Sequence, residues 1–278
     1  PPYVKAKYNI SVVNTTGGNV TTDLSVAEDG DKVTMTVTPT TGYSLYSMVF
    51  TDSSSTDITS SVSYVPATQQ FTMPPKDVTI TPTFTANSYL ITYNFTTPTL
   101  GTFKVNGYTS NSNATFGATV PLGYAFNPAC ELDTLEIKGK SGTIYPADTG
   151  NASFIMPAEE VTVTAAFKKI DYKVATLGTV ANGTYDTDKN PAIYNFSDSV
   201  KITATPDATY DFKELKILKN GTLVDTIDNA GKFKNGTTTS GVDANIIVTG
   251  FTPGGLGAKT DLTFTMPNYD ITVEVVFG

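Results

Sequence analysis

Apolar and polar residues alternate along this chain in short runs, and one such run is written three times. The first copy reads Phe71-Thr72-Met73-Pro74-Pro75-Lys76-Asp77-Val78-Thr79-Ile80-Thr81-Pro82-Thr83-Phe84, and the others begin at Phe154 and Phe264. Each holds an aromatic, a Met-Pro step, an acid and then apolar residues at every second position. These are Val78, Ile80, Pro82 and Phe84; Val161, Val163, Ala165 and Phe167; Ile271, Val273, Val275 and Phe277. A period of two marks a strand with one buried face.

The copies align beyond that signature. A first strand is predicted at Tyr8-Asn9-Ile10, Tyr89-Leu90-Ile91 and Tyr172-Lys173-Val174, the latter two starting five residues after the Phe that closes the preceding copy. Counting back five from Tyr8 gives Tyr3, so Pro1-Pro2-Tyr3 is expected to end a preceding repeat. The chain opens at Pro1 without an initiator Met or signal peptide, and we expect a whole number of repeats cut from a longer array. A glycine step follows at Gly18-Asn19-Val20, Gly101-Thr102-Phe103 and Gly178-Thr179-Val180. Asn106-Gly107 and Asn182-Gly183 come next, and Asn-Gly favours a type I′ turn, so each unit is expected to open with a hairpin.

The next predicted strand is Val33 to Pro39, matched to Leu122 to Pro128 and to Val200 to Pro206, with proline ending each run. A further block reads Leu45, Met48, Phe50; Leu132, Leu135, Ile137; Phe212, Leu215, Ile217. Its steps of three and then two fit a bulge or one helical turn running into a strand. The third copy carries a longer segment near 219–261, with a hairpin signal at Lys219-Asn220-Gly221-Thr222, an extra strand expected at Asn245 to Phe251, and the run Pro253-Gly254-Gly255-Leu256-Gly257. The fold class expected is all-β and mainly antiparallel, as three tandem small β domains, β-grasp-like or sandwich-like. The boundaries expected are 1–7 for the tail of a preceding repeat, 8–86 and 87–169 for the first two repeats, and 170–278 for the third.

Composition then narrows the chemistry. The 278 residues include no His, no Trp, no Arg and one Cys. Without imidazole the chain lacks the usual near-neutral base and the commonest metal ligand; without guanidinium it lacks the planar fork that grips phosphate. Twenty-six acids against 18 bases give a net charge of -8, which repels a nucleic-acid duplex. No apolar run is long enough to span a membrane as a helix. No catalytic, cofactor-binding or metal residue is assigned, and no cofactor is expected.

Several groups invite chemistry, each with a simpler reading. The recurring acids Asp77, Glu160 and Asp270 suit catalysis or calcium less well than hydrogen bonding to free backbone N–H groups in the turn entering the last strand. Asp186-Thr187-Asp188-Lys189-Asn190 has the opening rhythm of a calcium loop, but Pro191 and Ser197 stand where that loop needs Gly and Glu. Glu28-Asp29-Gly30-Asp31 reads as a turn. Gly254-Gly255-Leu256-Gly257 lacks the Lys-Ser/Thr pair of a phosphate loop. Cys130 has no His to activate it and reads as a small core or loop residue. Ten of the eighteen Asn begin sequons, at positions 9, 14, 19, 94, 113, 151, 182, 195, 220 and 235; in a glycosylating source these mark the surface loops of an exported glycoprotein.

Taken together, Tyr89-x-Ile91-Thr92, Gly30-Asp31-x-Val33-Thr34, Pro39-x-x-Gly42-Tyr43 and Phe71-Thr72-Met73-Pro74 resemble the divergent B-repeat family related to the internalin B repeats. The resemblance covers nearly the whole chain. It implies tandem β modules of prokaryotic cell-surface proteins, acting as stalks or adhesive arrays, with no catalytic residues to carry over. The chain departs from the family in having no Trp after Gly-Tyr and no Gly-Tyr pair after Pro128.

Three roles are weighed. One is a non-enzymatic extracellular stalk or adhesion segment of the cell wall, whose partners are neighbouring repeats or other copies of the array and a host or glycan ligand. A second is a filament subunit that assembles by strand addition. The third is a carbohydrate-binding module, for which fifteen Tyr supply stacking surfaces and the absence of Trp counts against.

Overall fold

The computed structural model describes residues 4–148, 150–235, 241 and 243–278. The expected tail Pro1-Pro2-Tyr3 and part of the segment 219–261 therefore lie outside the described residues. The chain is all-β, built as three tandem repeats of small, mostly antiparallel sheets. By contacts it divides into two compact units, and the division runs through the second repeat. One is Pro1–Phe95 with Phe103–Tyr124 and Leu135–Ala165; the other is Thr96–Thr102 with Ala125–Thr134 and Ala166–Gly278.

In the first unit, the opening repeat has two sheets. One orders its strands Val26–Glu28, Lys7–Val12, Val78–Ala86 and Tyr43–Thr51; the other orders Gly18–Thr22, Lys32–Pro39 and Gln70–Thr72. Both feed a single apolar core that includes Ile10, Val20, Val33, Phe50, Phe71 and Ile80. The signature strand Val78–Ala86 buries Val78, Ile80, Pro82 and Phe84 as the alternation requires. Lys7–Val12 changes partner midway: Lys7 to Asn9 run antiparallel to Val26–Glu28, and Ile10 to Val12 run parallel to Val78, Thr79 and Ile80. The first two strands thus sit in different sheets, and the expected opening hairpin is absent. A strand that pairs on both sides cannot also fold back on its successor.

The second unit contains the third repeat, with the same plan and two additions. Its sheets order Ile193–Asn195, Asp171–Thr176, Ile271–Phe277, Phe212–Lys219 and Thr222–Asp228, and Gly183–Thr187, Ser199–Pro206, Thr260–Thr265 and Val248–Thr252. The additions are Thr222–Asp228, joined through Asn220 and Gly221 at φ 50° and 77°, and Val248–Thr252, which answers the extra strand expected from Asn245. Positive φ at both central residues is the type I′ turn that Asn-Gly favours, and Asn106-Gly107 makes it too, at 54° and 83°. Asn182 has φ 69°, but Gly183 opens a strand, so that pair forms no such turn.

Register corrects two alignments. Val33 faces Phe71, Val120 faces Phe154 and Val200 faces Phe264, so the second copy of that strand starts at Val120, two residues before Leu122. Aligning on Pro128 misplaced it, because the strand ends at Phe126. Likewise Gly18 faces Pro39 and Gly183 faces Pro206, so the third glycine step is Gly183-Thr184-Tyr185 and not Gly178-Thr179-Val180. The mixed spacing of the further block is a bulge: register slips between Leu45 and Ser47 and between Phe212 and Glu214.

Candidate functional site

The Met-Pro signature locks a turn in every repeat. Gly30 N–H donates to the Met73 carbonyl at 2.9 Å and Met73 N–H to the Asp31 carbonyl at 2.9 Å. The same exchange joins Gly117, Ala118 and Met156, and joins Ser197, Asp198 and Met266. Gly30, Gly117 and Ser197 have φ of 89°, 77° and 65°, the left-handed geometry needed at the third position of a type II turn. Glu28-Asp29-Gly30-Asp31 is therefore a turn, and Asp31 Oδ2 accepts the Glu28 N–H at 2.9 Å.

The recurring acids lie elsewhere than expected. Asp77 Oδ1 accepts the N–H of Asn9 at 2.7 Å, and Asp270 Oδ1 that of Lys173 at 2.8 Å. The donors belong to the first strand of the same repeat, not to the turn entering the last one, because the parallel ladder starts one residue later and leaves that N–H open. Glu160 instead ion-pairs with Lys140 at 3.0 Å. In the segment from Asp186, Asp188 Oδ1 accepts the Tyr194 hydroxyl at 2.6 Å and the Lys201 N–H at 3.1 Å, while Asp186 Oδ1 accepts the Thr187 N–H at 2.8 Å. Those oxygens serve the loop's own donors, and among the described residues no three metal-ligating side chains converge. Cys130 is half-buried, and its Sγ makes a weak contact to the Pro128 carbonyl at 3.7 Å.

Of the sequons, Asn14 is spent on its own loop: its amide holds Val20 through bonds of 2.7 and 3.2 Å. Asn195 Nδ2 donates to the Ile170 carbonyl at 3.1 Å and to Asp171 at 2.9 Å. A cavity of about 490 Å³ beside Phe154 and Ile155 has Asp148 in its wall, but that carboxylate already accepts from Gly150 and Asn151.

The arrangement that recurs without serving a repeat's own core is the joint between successive repeats. In the first unit, Asn87 follows the closing Phe84 by three residues. Its N–H donates to the Gly42 carbonyl at 2.8 Å, its carbonyl accepts the Phe116 N–H at 2.8 Å, and its Oδ1 accepts the Ser44 hydroxyl at 2.7 Å. The Phe116 ring meets Tyr43 edge-on at 5.7 Å and lies against Gly42, where a Cβ would come within 2.4 Å of it. In the second unit, Ile170 follows Phe167 by three, and its N–H donates to the Ala129 carbonyl at 2.9 Å. Gly42 has φ 86° and Ala129 φ 56°, so the second repeat keeps the left-handed backbone although it lacks the Gly-Tyr pair. Beside this joint Lys168 pairs with Glu131 and Asp133 at 3.5 and 3.6 Å. Burial, with Glu131 and Asp270 nearby, pushes the Tyr172 hydroxyl pKa up.

Sequence reasoning missed this site. Its signals were the constant distance from closing Phe to linker residue and Phe116, which stands four residues before Val120 where the first copy has Asp29 before Val33. Phe116 is the second residue of the Thr115–Ala118 turn, and its ring is half-buried against Tyr43 and Gly42 of the preceding repeat.

A profile described as a divergent InlB B-repeat domain matches residues 8–88, 91–171 and 173–246. No curated protein matches the chain.

Proposed function

The chain belongs to the divergent InlB B-repeat family, and from that premise we propose that it is a non-enzymatic stalk of an extracellular cell-surface protein, spacing and presenting an adhesive element. Modules of this family are cell-surface repeats, and here three stand in tandem. We take 8–86, 87–169 and 170–278 as the working repeats.

The observation that carries the reading is the recurrence of the joint, Asn87 on Gly42 and Ile170 on Ala129. A tether made of flexible linkers would leave these N–H groups to water. Here each linker is bonded by its backbone to the repeat before it, which favours spacing at a set distance. The first and third repeats bury cores of their own, and their recurring acids Asp77 and Asp270 are bound to backbone N–H groups. Among the described residues no helix is long and apolar enough to cross a membrane.

Two measurements test the reading. Antibodies raised against the full chain should label intact source cells, and labelling only after lysis would overturn it. Glycan and matrix-protein arrays should stay silent, since the stalk holds the binder out instead of being it; tight, specific glycan binding would move the function to the carbohydrate-binding reading.

A filament subunit is the second reading, favoured by Gly18–Thr22, which among the described residues pairs on one side only and leaves a sheet edge for a strand from another copy. Light scattering separates the two. Mass that grows with concentration supports the filament, and constant monomer mass supports the stalk.

A further inference from the structure

The third repeat builds the same corner that receives the next repeat at both joints. Tyr43 N–H bonds the Thr40 carbonyl at 3.0 Å, Cys130 N–H that of Asn127 at 3.1 Å, and Tyr210 N–H that of Asp207 at 2.9 Å. Ala208, Thr209 and Tyr210 thus stand where Thr41, Gly42 and Tyr43 stand. Two features differ. First, the acceptor position is left-handed at Gly42 and Ala129, whereas Thr209 has no positive φ. A β-branched side chain resists that region, so the carbonyl is not turned as it is at the other two corners. Second, the loop Pro253 to Gly257, which follows the added strand Val248–Thr252, lies on this corner. Gly257 N–H donates to the Tyr210 carbonyl at 2.8 Å. A Cβ on Gly257 would come within 3.0 Å of the Ala208 carbonyl oxygen. Gly255 and Gly257 take φ of 90° and 67°, so the loop reaches the corner through backbone that glycine allows.

We infer that the Pro253–Gly257 loop is an in-chain plug of the third repeat's joint site. It closes the surface that a further repeat would use, whether that repeat follows in the same polypeptide or comes from a second copy. The third repeat is then a point of articulation: a repeat placed after it is tethered but not docked. This inference rests on the joint reading of the stalk.

The test uses the full chain with Cys130→Ser, extended after Gly278 by a second copy of residues 86–169 that carries the same Cys130→Ser change, so that Asn87 of the added copy follows Phe277 by three residues. Spin labels at Lys213→Cys and at residue 113 of the added copy report on the new junction. Labels at Tyr46→Cys and Asn113→Cys report on the joint between the first two repeats, as the control, since Lys213 and Tyr46 occupy the same bulge position. We expect a narrow distance distribution for the control and a broad one for the new junction. Replacing Pro253–Gly257 by Asn-Gly together with Thr209→Gly should collapse the broad distribution to one narrow peak. A narrow peak with the plug intact overturns the inference while leaving the joint reading standing; a broad control overturns the joint reading itself. Should the shortened variant fail to fold, hydrogen exchange in the unaltered chain decides. The Gly257 amide should be protected like those of Asn87 and Ile170, and exchange at the free-peptide rate overturns the plug.

Discussion

The backbone N–H of Asn9 donates to the Asp77 carboxylate at 2.7 Å across 68 residues of sequence, and Lys173 and Asp270 repeat the bond at 2.8 Å across 97. Each carboxylate takes the last N–H before the parallel ladder between first and closing strands begins. The closing strand is the most distant partner in sequence, so its register depends on features that recognise the first strand directly. A hydrogen bond to a charged acceptor contributes about 1.5 kcal/mol at an exposed site, the low end of the range for charged groups. Asp77→Ala should lower stability by that amount in chemical denaturation. Asp77→Asn retains an acceptor oxygen and should lose less. Equal losses would show that charge, and not the bond, is what matters there.

The three signature phenylalanines are equivalent by register, Phe71 against Val33, Phe154 against Val120 and Phe264 against Val200, and all are fully or almost fully buried. Phe71 also packs on Phe50 with ring centres 5.0 Å apart. Truncating any of them to Ala should cost about 3 to 5 kcal/mol through lost burial and the cavity left behind. The loss should be confined to the repeat that carries the change, as read by amide exchange repeat by repeat. A negligible effect at one position would remove it from the equivalence.

The closing strands were legible because Val78, Ile80 and Phe84 and their counterparts alternate without interruption, and one face of a buried strand needs nothing more. The bulge at Leu45 was legible from its step of three. The partner switch within Lys7–Val12 was not, since pairing on both sides leaves no mark in a six-residue strand. Anchoring the second copy on Pro128 failed because that proline ends nothing structural. The joint was hidden for a different reason: Asn87 and Ile170 work through backbone groups, which every residue has, and Gly42 and Ala129 share a backbone conformation without sharing a residue type.

Gly183 carries one of the corrected alignments and can test it. A Cβ there would meet the Phe277 ring at 2.7 Å and the Thr205 carbonyl oxygen at 2.7 Å, as one on Gly18 would meet Phe84 at 2.5 Å. The carbonyl belongs to a paired strand and cannot retreat. Gly183→Ala should therefore destabilise by about 1 to 3 kcal/mol through overpacking. Gly178 has no atom within 4 Å of its Cβ position, and Gly178→Ala should be neutral or raise stability by up to about 1 kcal/mol through a less flexible unfolded chain. Thermal unfolding of the two variants side by side decides, and the reverse order would restore Gly178 as the repeat's glycine.

With no His in the chain, stability should not respond to pH across the neutral range. Several carboxyls are held below the ordinary carboxylate range. The Lys201 ammonium, then the Thr203 hydroxyl, does this for Asp261; the Tyr145 hydroxyl, then Ser141, for Glu159; and the N–H groups of Thr56 and Ser54 with Lys76 for Asp52. At Asp243 burial opposes ionisation, and Tyr269, Asn245 and Lys219 outweigh it. A carboxyl depressed on folding contributes stability above its unfolded pKa, near 4, and that contribution is lost as pH falls through the folded value. At the other end, burial raises the phenols of Tyr64, Tyr124 and Tyr185. The unfolded chain then ionises first, from about pH 10, and stability falls as pH climbs beyond it. Melting temperature should thus be flat from about pH 5.5 to about pH 9 and drop on both sides. A step between pH 6 and 7 would show that one of these carboxyls is raised on folding instead of lowered, since the sequence holds no His to titrate there.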